Sequence, residues 1–119
     1  GVLLSDYHKE VGLIMQSELL GLGLINQHDI DKQDPKNPAY RKYFMHGTSH
    51  FLGLDVHDVG HFDKPIKEGM VFTCEPGIYI LEENLGIRLE NDLVITNDKP
   101  FDLMTNIPLE PEEIEDLMN

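Results

Sequence analysis

Cysteine is nearly absent from this chain. Cys74 stands alone, which excludes an internal disulfide and a cysteine-based zinc site and fits a reducing cytosol. Positive charge is also scarce: nine Lys and Arg face 22 Asp and Glu, for a formal net charge of −13. Such a field repels a phosphate backbone, so nucleic acid is not an expected partner. A solvated acidic surface accounts for most of the excess acid, and cation binding is a second use for part of it. No apolar run approaches the ~18 residues of a membrane span. The opening residues, GVLLSDYH, show no basic region followed by an apolar one. The expectation is a cytoplasmic protein with no membrane contact. At 119 residues the chain holds one domain at most.

What is abundant is histidine, and it is concentrated. Residues 46–61, HGTSHFLGLDVHDVGH, hold four of the six histidines: His46, His50, His57 and His61. Histidine is the commonest metal ligand and titrates near neutrality. Four in one window beside Asp55 and Asp58 point to metal or acid–base chemistry. A solvated polar loop is the plainer alternative. Phe51, Leu52, Leu54 and Val56 interleave with the histidines in a strand-like pattern and argue for burial. His8 and His28 lie outside the window and are expected on the surface.

The apolar spacing of Tyr7, Val11, Ile14, Met15 and Leu19 predicts a helix over 5–20, capped by Ser5 or Asp6 and left through Gly21 and Gly23. Residues 26–37 are polar and read as a loop, followed by a short helix from Asn37–Pro38 through AYRKYF. MVFTC (70–74), GIYIL (77–81) and GIRLENDLVIT (86–96) predict three strands. The tail from Pro111 predicts a short acidic helix with Ile114, Leu117 and Met118 as its stripe.

Two smaller features carry acid. Glu75 precedes the Pro76–Gly77 break at the end of a strand, and Arg88-Leu89-Glu90 alternates so that Arg88 and Glu90 share a face. Singly, each suits a surface turn or an exposed ion pair. Together with HGTSHFLGLDVHDVG, the segments CEPGIYI and RLENDLVIT resemble the C-terminal part of the aminopeptidase P and prolidase family, over about residues 15–118.

That resemblance implies an α+β fold, the C-terminal portion of a pita-bread (creatinase/aminopeptidase-like) fold, with a curved antiparallel-rich sheet and helices on one face. It implies metal ligation by His50, Glu75 and Glu90, with Glu75 also moving a proton. His57 would contact the substrate carbonyl or the tetrahedral intermediate, and His46 would line the proline pocket. Arg88 and Tyr79 would orient the metal-binding carboxylates. Two divalent ions would activate a bridging hydroxide for attack on the bond before proline. Mn²⁺ is foremost for such oxygen-rich ligation, with Co²⁺, Zn²⁺ or Fe²⁺ as alternatives. Asp55 and Asp58 would be structural, and His61 has no implied role.

The family uses five ligands, and no aspartate on an apolar strand precedes His46. The expectation is therefore a single partial domain over 1–119 with an incomplete site, inactive alone, that self-associates or meets the rest of its parent domain. The implied substrate is a peptide with proline second, cleaved by an Xaa-Pro aminopeptidase. An Xaa-Pro dipeptidase and a non-catalytic peptide- or protein-binding module remain the alternatives.

Overall fold

A computed structural model describes all 119 residues. Its first helix, α1 (Leu4–Gly21), starts one residue before the expected span, with Leu3 at the N-cap and no side-chain cap. Ser5 and Asp6 therefore do not cap it. Leu4, Gly12, Met15 and Leu19 form its buried stripe, whereas Ile14 is exposed. A side chain at Gly12 would run into the ring of Tyr40, which would have to move aside. The helix ends as expected. Gly23 takes a left-handed φ of 74° and the Leu24 N–H closes onto the Leu19 carbonyl.

Residues 26–37 are not simply a loop. Asn26 and Asp29 exchange side-chain and backbone hydrogen bonds at 2.9 and 3.0 Å and start the six-residue helix α2 (Gln27–Lys32). A single 3₁₀ turn, Ala39–Lys42, follows Pro38.

The strands are β1 (Val71–Cys74), β2 (Gly77–Ile80), β3 (Leu85–Arg88), β4 (Asn91–Val94) and β5 (Phe101–Asp102). They form two antiparallel sheets, β1-β4-β5 and the hairpin β2-β3. The strand expected over 86–96 is thus two strands with a break at Leu89–Glu90. Its cause lies on the partner. Pro76 has no N–H to pair, so the ladder lapses on both sides at once. Only the Leu89 N–H, donating to the Pro76 carbonyl at 3.3 Å, bridges the gap. The register is nevertheless continuous from Cys74↔Asn91 to Gly77↔Arg88, so Glu75 stands opposite Glu90 across a bent ribbon.

The core is small and divided. Leu4, Phe51 and Phe72 join α1 to β1, while Leu19, Ile25 and Tyr43 join the end of α1 to the hairpin. The histidine window departs from the strand-like expectation: after a bridge from Phe51 to Phe72 it is a looped segment, with Leu54, Val56 and Val59 exposed. The closing helix α3 (Pro111–Met118) has the expected Pro at its first turn, but Leu117 and Met118 of its apolar stripe are exposed. No helix is long and apolar enough to cross a membrane.

Candidate metal centre

The bent ribbon dictates the site. Alternation along it sends Ile87 and Leu89 into an apolar groove of about 370 Å³ with Met15, Leu24 and Ile78. Glu75 and Arg88 turn the other way, into a polar cleft of about 340 Å³ that also receives His46, His50 and His57. Glu90 joins them, and the ligand atoms of His50, Glu75 and Glu90 lie within 4.8 Å of one another.

His50 is fixed on both sides of its Cα. Its N–H donates to Thr73 Oγ1 at 3.0 Å, and its carbonyl accepts the Thr73 N–H at 3.0 Å. Its Nδ1 lies 3.0 Å from the Phe51 carbonyl, which can only accept, so Nδ1 carries the proton. In the neutral ring Nε2 then presents a lone pair toward Glu75 Oε1 at 3.4 Å and Glu90 Oε1 at 3.9 Å. Thr73 Oγ1–H donates to Glu75 Oε1 at 3.2 Å, and Thr73 is only 2 % exposed.

Two carboxylates facing each other across a ribbon repel. Arg88 relieves part of this, with Nε 3.8 Å from Glu75 Oε2 and 3.6 Å from Glu90 Oε2. The oxygens on the far side still face the His50 lone pair. Three convergent donors, two anionic and one neutral imidazole already held through its other nitrogen, fit a divalent cation. His50, Glu75 and Glu90 would hold it.

The remaining expected residues are close by. His57 stacks on His50 with ring centroids 4.2 Å apart, from the exposed part of the loop. His46 donates from Nδ1 to the Gly47 carbonyl at 2.7 Å and receives the Tyr79 hydroxyl at Nε2 at 3.1 Å. Tyr79 thus holds His46 rather than the carboxylates, because β2 turns its ring toward the His46 edge. Asp58 braces the loop by accepting from the Val59 and Asp55 N–H groups, which hold its carboxyl below the usual range. His61 is exposed beside Asp63.

Two residues escaped the sequence reading. Thr73 lies two positions before Glu75 on the same strand face, a signal that alternation offers. His8 is half-buried against Thr48 and Phe44 instead of on the surface, and its partner lies 40 residues away, where no local pattern reaches. His28 is exposed, as expected.

Residues 1–97 match the family described as metallopeptidase family M24. The Xaa-Pro aminopeptidases of Escherichia coli and Haemophilus influenzae are 42% and 39% identical, over 99% and 100% of this chain. The chain spans only 29% and 30% of their lengths. A zinc-substituted E. coli aminopeptidase P in complex with product superposes with a TM-score of 0.83 at 42% identity, covering 99% of this chain and 29% of that one. The two antiparallel sheets with α1 beside them are therefore part of the aminopeptidase P fold. The chain belongs to metallopeptidase family M24.

Proposed function

We propose that the protein carrying this chain is a dinuclear metal-dependent Xaa-Pro aminopeptidase, which releases an N-terminal residue that precedes proline. The observation that carries this reading is the convergence of His50 Nε2 with Glu75 and Glu90 in a cleft shared with His46 and His57. In this reading they are three ligands of a five-ligand site, whose other two, both aspartates, the family pattern assigns to the rest of the parent domain. Divalent ions, Mn²⁺ foremost, supply Lewis acidity and make a water acidic enough to react near neutral pH.

The residues of this chain do the rest. Glu75, with Oε1 held by Thr73, takes the proton of the attacking water and gives it to the departing prolyl nitrogen. His57, unburdened by other partners in the exposed loop, donates to the carbonyl oxygen of the scissile bond as charge grows there. His46, steadied edge-on by Phe44 and Tyr79, lines the pocket for the proline ring. Arg88 keeps the two carboxylates aimed at the cations.

The test is hydrolysis of Xaa-Pro-Xaa tripeptides and Xaa-Pro dipeptides by the native protein, stripped with chelator and reloaded with Mn²⁺. Release of the first residue from the tripeptide, abolished by chelator and by Glu75→Gln, is the expected result. Cleavage of the dipeptide alone would make the protein a dipeptidase. Metal uptake with no cleavage of either substrate would leave a binding module.

A further inference from the structure

The first turns of α1 reach the metal cluster through a residue outside the ligand set. His8 Nδ1 lies 2.8 Å from Thr48 Oγ1 and 3.3 Å from the Thr48 backbone nitrogen. A backbone N–H can only donate, so Nδ1 is the acceptor of both contacts and the ring proton sits on Nε2. Burial, with Arg41 and His46 nearby, holds this imidazole below its ordinary range and so favours the neutral acceptor form. The edge of Phe44 packs against the ring, with centroids 5.9 Å apart, and limits its rotation. Thr48 itself is 1 % exposed, and its carbonyl accepts the Glu75 N–H at 2.8 Å. His46 and His50 flank Thr48 at two residues on either side.

We propose that His8 is a positioning residue for the metal centre: its Nδ1 fixes Thr48, and the Thr48 carbonyl fixes Glu75 relative to His50. This rests on the metal-centre reading above. Without the acceptor, a buried hydroxyl and a buried N–H lose their partner, and the segment must shift to find others. Such a shift moves Glu75 through its backbone and His50 through the chain. Groups that orient metal ligands from behind are typically worth about 10–100-fold in metal affinity.

The test compares His8→Leu, which removes the acceptor, with His8→Asn, whose Oδ1 falls near the position of Nδ1. Two readouts on the native protein are needed: hydrogen exchange of the Glu75 amide in the metal-free state, and Mn²⁺ affinity by electron paramagnetic resonance. In His8→Leu the Glu75 amide should exchange faster while the Phe72 and Leu93 amides of β1 and β4 are unchanged, and Mn²⁺ should bind about ten-fold more weakly. His8→Asn should match wild type in both. Unchanged Glu75 exchange in a folded His8→Leu protein would overturn the role, as would an Asn variant as impaired as the Leu variant.

Should His8→Leu not fold, His8→Gln keeps polarity but sets its acceptor one bond farther out. It should show the faster Glu75 exchange, and a Gln variant equal to Asn would overturn the proposal. A wild-type protein that takes up no Mn²⁺ would defeat the metal-centre reading instead, and the exchange comparison would still decide the role of His8.

Discussion

The two ends of the histidine-rich window hold two histidines each and behave differently. His46–Phe51 is fixed: Thr48 is 1 % and Phe51 9 % exposed, and its backbone bonds to Thr73 and Glu75. Leu52–His61 carries four apolar residues to the first end's one, yet Leu54 is fully exposed and Val59 92 % so. The difference is backbone pairing. The first end lies against β1 and receives His8 from α1, so the backbone groups of Thr48 and His50 are paired and its side chains can be buried. The second turns back on itself, with the Asp58 N–H bonded to the Phe51 carbonyl and Asp58 capping its own neighbours. His50, the proposed ligand, sits at the fixed end, and His57 at the free end leans over it. A metal ligand needs a rigid seat, whereas a group that meets substrate needs access.

The largest expected contrast is in stability. Phe51 packs against the rings of Phe62 and Phe72, so Phe51→Ala should cost about 3–5 kcal/mol in urea unfolding, as deletions of buried aromatics do. Leu54→Ala, at the free end, should stay within about 0.5 kcal/mol. Equal losses would erase the distinction between the two ends.

A second contrast separates the histidines by chemistry. His57→Ala should lower turnover of an Xaa-Pro peptide on the order of 10²-fold, the usual scale for a hydrogen-bond donor to a developing oxyanion. Mn²⁺ affinity, by electron paramagnetic resonance, should change little. A comparable drop in metal affinity would move His57 into the ligand set.

The smallest effect is the pH response of His8. Its folded pKa lies below the ordinary 6.5, so the unfolded chain takes up the proton first as the solution is acidified. Stability from this group is present above the unfolded value and declines as pH falls below about 6.5. Urea unfolding of wild type and His8→Asn at about pH 7.5 and about pH 5.5 should therefore show wild type losing more stability on acidification. Parallel losses in the two proteins would remove His8 as the cause.

Much of the ribbon was legible because its residues announce themselves locally. The β-branched and aromatic runs give β1 and β2, and alternation in Arg88-Leu89-Glu90 puts Arg88 and Glu90 in one cleft with Leu89 in the opposite groove. What sequence could not supply came from partners distant in the chain. The break after Arg88 is imposed by Pro76 on the facing strand. Tyr79 serves His46 because of the geometry of the hairpin, and His8 is held by a residue 40 positions away. The short helix α2 was hidden for a different reason: its capping box lies in a stretch too polar to show a helical stripe.

The most direct measurement is a Mn²⁺ titration of the native protein, followed by electron paramagnetic resonance, beside His50→Ala and Glu90→Gln. The account predicts saturable binding in wild type and a loss of more than about 100-fold in each variant, beyond what residues behind a ligand usually cost. Wild-type affinity retained in both variants would mean that the facing carboxylates and His50 do not hold the metal, and the central claim would fall.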